Sequence, residues 1–209
     1  MFCLMDHNNI LAVVLAGGKS KRFGRDKSQV KLGDKMLIDY ILTEIIDLYK
    51  DILIVANEPI KFLDSNKIFL TSDIKKDLGP LGGVHSAMKW ARDNKKNYKW
   101  ISTFPIDTPF FKKEHLIKFY KEINLEKSNL FFMKSKNTRH NIFGLWSLEL
   151  YEKLELALNS GDRKVELWAN EIGVKTIDFQ YENNNDPFFN INTKDELEVA
   201  KKLLKNDKL

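Results

Sequence analysis

Six apolar residues, Ile10 to Leu15, run without a polar break and stop at Ala16-Gly17-Gly18. A run so rich in branched side chains suits a strand buried on both faces, the kind found in mainly parallel sheets covered by helices. Two adjacent glycines behind such a strand permit positive φ and remove the side chains that would hold a phosphate or a base away from the backbone amides. Lys19, Lys21, Arg22, Arg25 and Lys27 follow closely, with Gly24 among them to let the loop fold back. Amides, ammonium groups and guanidinium groups can together meet the oxygens of a triphosphate, although the same composition also reads as a solvated basic turn. The common phosphate loops do not fit. G-x-x-x-x-G-K-[ST] would need glycine where Val13 stands, and no G-x-G-x-x-G occurs.

The remaining chain repeats the alternation of strand and helix. Leu37, Ile41, Ile45 and Leu48 are spaced for an amphipathic helix over Met36 to Tyr49, and Ile52 to Ala56 reads as a second buried strand ending at Asn57. Ile68 to Leu70 runs into Thr71-Ser72-Asp73, and Gly79-Pro80-Leu81-Gly82-Gly83 opens a helix from about Val84 to Arg92. Trp100 to Phe104 is a fourth strand, ending in Pro105-Ile106-Asp107-Thr108-Pro109. Such a tally predicts a doubly wound, mostly parallel sheet flanked by helices, whose ligands sit at the carboxyl ends of the strands.

The second half is patterned less clearly. Helices are expected over Glu114 to Ile123 and Leu148 to Leu158, strands over Leu130 to Met133, Ile142 to Trp146 and Val174 to Phe179. Asp162 is placed to cap a helix over Arg163 to Asn170. Thr193 and Glu196 have the spacing of a capping box before a closing helix, about Asp195 to Leu204.

A length of 209 residues suits one α/β domain, with residues 1–9 as a leader that frays. No apolar run reaches the ~20 residues of a membrane helix, and the N-terminus has no basic region of a secretory signal, so the expectation is a cytoplasmic protein with no membrane partner. A single cysteine, Cys3, excludes an intramolecular disulfide, and His7, His85, His115 and His140 show no spacing of a zinc site. The net charge of +5 is spread along the chain without a nucleic-acid motif, so polyanionic small substrates are favoured over nucleic acid.

The segment Leu15-Ala16-Gly17-Gly18-Lys19-Ser20-Lys21-Arg22-Phe23-Gly24-Arg25-Asp26-Lys27 resembles the L-A-G-G-x-S-x-R-[MF]-G-x-D-K of the molybdenum cofactor guanylyltransferases. Asp107-Thr108-Pro109-Phe110 resembles their D-T-P-F, though Phe104-Pro105-Ile106 departs from the small residues before it. Gly79 to Gly83 resembles G-P-L-A-G with Gly82 in place of alanine, and Phe189 to Thr193 resembles F-x-N-I-N-T. The resemblance spans about Leu11 to Leu204.

It implies a Rossmann-like nucleotide-diphospho-sugar transferase fold and transfer of GMP from GTP to the phosphate of molybdopterin. Leu15, Ala16, Gly17, Gly18, Lys27, Asn57, Asp73 and Asp107 are then the GTP-binding residues, and Arg22, Lys27 and Asp107 the catalytic ones. Asp107 is the ligand for Mg²⁺, a cation that takes few protein carboxylates. Gly79, Gly83, Asn190 and Asn192 are expected to serve the acceptor. Other molybdenum-cofactor proteins are expected partners. Residue chemistry leaves open whether Asp73 reads guanine or ribose. Three alternatives remain: a related cytidylyltransferase, a sugar-phosphate nucleotidyltransferase, and a regulatory protein that holds GTP without turning it over.

Overall fold

The computed structural model describes residues 9–17, 30–62, 65–75, 77–94, 97–181 and 186–206. Strand β1 is Ile10–Leu15, as its apolar run requires, and it lies centrally in a seven-stranded sheet. A short hairpin, β2 (Lys31–Leu32) and β3 (Lys35–Met36), leads into α1 (Leu37–Ile45). Strands β4 (Ile52–Val55) and β5 (Ile68–Thr71), helix α2 (Gly79–Asp93) and strand β6 (Trp100–Pro105) complete the first half. The second half contains α3 (Lys113–Glu122), β7 (Leu130–Ser135), β8 (Thr138–Ser147), α4 (Tyr151–Asn159), α5 (Val165–Ile172), β9 (Lys175–Phe179) and α6 (Lys194–Asn206).

The strand order is β5-β4-β1-β6-β8-β7-β9, with β8 antiparallel to both neighbours and every other pairing parallel. Alternation along the strands distributes side chains to two helical layers. Ile10, Ala12 and Val14 join Ile52, Ile54 and Phe104 under α1 and α3, whereas Leu11 and Val13 join Leu53, Val55 and Ile101 under α2, α4 and α5. A smaller cluster of Val30, Leu32, Leu37, Ile191, Leu197 and Ala200 seats α6 against the β2–β3 hairpin. No helix among the described residues is long and apolar enough to cross a membrane.

Four elements differ most from the sequence expectation. Helix α2 starts at Gly79, not near Val84, so Gly82 and Gly83 are helical despite low intrinsic propensity. Packing overrides propensity here: a Cβ on Gly82 would stand 2.7 Å from Leu78 Cβ, which also accounts for glycine in place of alanine. Helix α5 starts at Val165, and Asp162 does not cap it; the Asp162 amide instead donates to Ala157 O and closes α4. Strands β7 and β8 extend past their apolar runs into one hairpin, turned by Lys136 and Asn137 at φ of 44° and 64°.

The closing helix follows its expected signal with one change. Glu196 N donates to Thr193 Oγ1, while the Glu196 carboxylate accepts from Asn192 N at 2.7 Å, one residue earlier than a standard box.

Candidate active site

Leu15 is in register with Val55 and with Pro105, and Val55 with Thr71. Gly17, Asn57, Asp73 and Asp107 each lie two residues beyond one of these partners. Parallel pairing therefore delivers four residues selected from sequence to one row along the carboxyl edge of β5, β4, β1 and β6. Backbone bonds continue past the strand ends to keep the row aligned, from Ala16 N to Val55 O and from Ala56 N to Thr71 O, both 2.9 Å.

Asn57 and Asp73 form a reciprocal pair. Asn57 Nδ2 donates to Asp73 Oδ2 at 2.7 Å, and Asp73 N donates to Asn57 Oδ1 at 3.0 Å. The pair is packed directly behind Gly17, whose added Cβ would lie 3.5 Å from Asn57 Nδ2 and 3.7 Å from Asp73 Oδ2. Gly83 closes the other side: its Cβ would meet Leu15 Cδ2 at 3.1 Å and Asp73 Oδ1 at 3.6 Å. Glycine on both flanks lets a ligand approach a carboxylate whose orientation is already fixed.

The loop after Asp73 is tied to α2. Ile74 N donates to Ser86 Oγ at 2.9 Å, and that hydroxyl donates to Gly82 O. Gly79, at φ 64°, makes the left-handed entry into α2. It lies beside the Arg163 carbonyl, 3.8 Å from where its Cβ would be, so the segment around Arg163 also borders this end of the helix.

Asp107 is half-buried at the end of β6, and its carbonyl accepts from Ile191 N at 2.8 Å. That bond brings Asn190, exposed, and Asn192, half-buried, to the same edge while Ile191 is fully buried. The neighbouring Thr108 is buried, and its hydroxyl has no hydrogen-bond partner among the described residues. Leu15 and Ala16 line the row from β1, whereas Gly18, Arg22 and Lys27 lie outside the described residues.

Sequence reasoning missed three residues that lie near this edge. Ser86 gave no signal, since one serine inside a helix is commonplace. Ser135 and His140 pair at 2.7 Å across the β7–β8 hairpin, and the His140 ring stacks on Phe188. The Lys136-Asn137 turn is the feature that reveals their pairing.

Residues 12–173 match the model of the MobA-like NTP transferase domain. The chain belongs to the MobA-like NTP transferase family. It is 31% identical over 207 residues to the molybdenum cofactor guanylyltransferase of Rhizobium rhizogenes, covering 96% of this chain and 95% of that protein. Among solved structures, the molybdopterin-guanine dinucleotide biosynthesis protein A of Archaeoglobus fulgidus superposes with a TM-score of 0.72 at 23% identity, covering 94% and 99% of the two chains. The 2-C-methyl-D-erythritol 4-phosphate cytidylyltransferase of Francisella tularensis gives 0.68 at 18%, covering 93% and 99%. Both likenesses establish the Rossmann-like nucleotide-diphospho-sugar transferase fold.

Proposed function

We propose that this protein transfers GMP from GTP to the terminal phosphate of molybdopterin and releases pyrophosphate. The observation that carries the reading is the row Gly17, Asn57, Asp73 and Asp107, together with a family whose relatives bear the guanylyltransferase name. Three strand spacings separate the β5 and β6 ends, roughly 14 Å, a span that a nucleotide laid along the edge would bridge. Asp73 then accepts from the nucleoside, with Asn57 holding the carboxylate in place, and Asp107 lies toward the phosphates. Guanine presents two adjacent donors that one carboxylate can accept, where adenine presents no such edge.

The donor set at Asp107 fits magnesium. One hard carboxylate at a strand end is enough for a cation that keeps water and phosphate oxygens in its other positions, and no cluster of three acidic, histidine or cysteine side chains occurs among the described residues. Magnesium bound there would offset charge at the α-phosphate. Arg22 and Lys27, by family resemblance, neutralise the triphosphate. Asn190 and Asn192 hold the acceptor, whose anionic phosphate oxygen attacks the α-phosphorus as the bond to the pyrophosphate oxygen breaks. No protein nucleophile or general base is required, so positioning and charge account for the rate.

The test is pyrophosphate release from GTP, CTP and ATP in the presence of molybdopterin. Release only with GTP and acceptor supports the reading, and Asp107→Asn should reduce it by about 100-fold or more with little change in fold. Preference for CTP, or GTP binding without acceptor-dependent release, would overturn it.

A further inference from the structure

The segment 188–192 carries both asparagines of the acceptor site yet belongs to no strand. Its place against β6 depends on side chains at its two ends. At the far end Asn192 N is held by Glu196, and Ile191 is held by Asp107 O and by the α6 cluster. At the near end the Phe189 amide donates to Asp186 O at 3.1 Å and its ring meets Phe110, and the most deeply buried anchor is Phe188. Its ring is 2% exposed and meets Phe143 at 5.3 Å, edge to face, and Phe179 at 5.9 Å. The closest contact is the His140 imidazole, stacked at 3.9 Å with an interplanar angle of 13°.

His140 is itself held. It pairs with Met133 across the β7–β8 hairpin, just past the bulge between Phe132 and Met133, and its Nε2 lies 2.7 Å from Ser135 Oγ. A hydrogen bond in the ring plane fixes the rotation of the imidazole and so the face it offers to Phe188. Burial also lowers its pKa, which favours the neutral ring that an apolar neighbour accepts without desolvating a charge. The Phe188 amide donates to Asp186 Oδ1 at 2.9 Å, fixing the backbone at the same point. Between Phe188 and Ile191 lie three residue steps, roughly 10 Å of extended chain, and Asn190 stands within them.

We propose that His140 is a positioning residue of the acceptor site, acting through the stacked ring of Phe188 to fix the segment that presents Asn190 and Asn192 beside Asp107. The assignment of the acceptor rests on the proposed guanylyl transfer; the mechanical coupling does not. Loss of the stack loosens one end of the segment, so acceptor affinity falls while Gly17, Asn57 and Asp73, on β1, β4 and β5, are unaffected.

Two measurements on the full chain decide it. Amide hydrogen exchange reads the Ile191 N–H bond to Asp107 directly. His140→Ala should speed exchange there about tenfold or more, with the amides of β1 unchanged, and His140→Phe, which keeps a flat ring, should restore the wild-type rate. Steady-state kinetics should show the acceptor KM raised about tenfold in His140→Ala, with the KM for GTP within about twofold of wild type and rescue by His140→Phe. Ser135→Ala removes the tether without opening the core, and should shift both readouts in the same direction by a smaller factor. Unchanged Ile191 exchange in His140→Ala and Ser135→Ala overturns the proposal, as does an equal rise in both KM values. Failure of His140→Phe to rescue either readout also overturns it. A wild-type protein that transferred nothing from GTP would remove the reaction assignment, and the exchange result would still decide the role of His140.

Discussion

Asn57 and Asp73 hold each other by two hydrogen bonds, one from the Asn57 amide group to the Asp73 carboxylate and one from the Asp73 backbone to the Asn57 carbonyl. The residues lie at the ends of adjacent strands, so the pair both orients the carboxylate and links β4 to β5 beyond the last rung of the sheet. Asn57→Asp would place two carboxylates at the 2.7 Å contact, where repulsion adds to the lost donor. We expect Asn57→Ala to weaken GTP binding about tenfold and Asn57→Asp to weaken it further, with the gap between the two narrowing in high salt. Calorimetric titration of GTP against each variant measures this directly, and wild-type affinity in Asn57→Ala would mean that Asn57 does not orient Asp73.

The two glycines flanking Asp73 should respond differently to the same change. An alanine at Gly17 meets its neighbours at 3.5 Å and beyond, which is ordinary contact, so Gly17→Ala should melt within a few degrees of wild type and lose GTP affinity because the methyl occupies the ligand's approach. At Gly83 the methyl meets Leu15 Cδ2 at 3.1 Å, tighter than ordinary contact, so the Leu15 side chain must shift. Gly83→Ala should therefore lower the melting temperature more than Gly17→Ala does. Thermal melts of the two variants side by side, with GTP titrations, separate blocked approach from disturbed packing.

This row of residues was legible in the sequence for a local reason. Each strand is a short, mainly apolar run ending near a glycine or a polar residue, and parallel register turns four such endings into neighbours. The β7–β8 hairpin that supports Phe188 lacked any comparable signal. The β7–β8 pairing is broken by a bulge after Phe132, so its alternation fades where the hairpin begins, and the stack of His140 on Phe188 joins residues far apart in the chain. The start of α2 was misplaced because Gly82 and Gly83 look like loop residues, while their true reason is the closeness of Leu78 and Leu15. Contacts of that kind appear only once the backbone is folded.

Helix α3 offers a test of stability remote from the row. Glu44 on α1 accepts from Lys113 N at 3.0 Å and from Lys112 Nζ at 3.2 Å, so a carboxylate from another helix caps the start of α3. Capping interactions contribute ~1 kcal/mol, and in a chain of this size such a loss lowers the melting temperature by about 2–4 °C. Glu44→Ala should show that shift with unchanged GTP affinity, and Glu44→Gln should recover part of it because its carbonyl still accepts from the Lys113 amide. A melting temperature equal to wild type in Glu44→Ala would show that water replaces the cap at no cost.

Acid should weaken the fold through His85. Its ring is buried between α2 and α4, stacked on Tyr151 at 5.0 Å, with Nε2 3.4 Å from Glu155 Oε1 and too poorly directed for a hydrogen bond. Burial is the largest influence and lowers its pKa; Glu155 opposes the shift, and Lys75 and Lys89 add to it. The unfolded chain therefore takes up the proton first, so the stability contribution is complete above the ordinary histidine range near 6.5 and declines as pH falls through it. His115 and His140 are shifted by burial in the same direction and steepen the decline. Melting temperatures measured from about pH 7.5 to 5.5 should fall, and His85→Gln should flatten the slope. An identical slope in the variant would remove His85 from the account.

The reversal of β8 divides the sheet into halves of unequal freedom. The chain passes from β1 to β4 through α1 and from β5 to β6 through α2, and both helices are packed into the core, so a change of length in either disturbs register along the edge. Beyond β6 the chain returns through a hairpin, and a hairpin can lengthen at its turn or change its facing side chains while its neighbours keep their pairing. The Lys136-Asn137 turn can therefore change in length without moving β5, β4, β1 and β6, whose ends carry the row of Gly17, Asn57, Asp73 and Asp107.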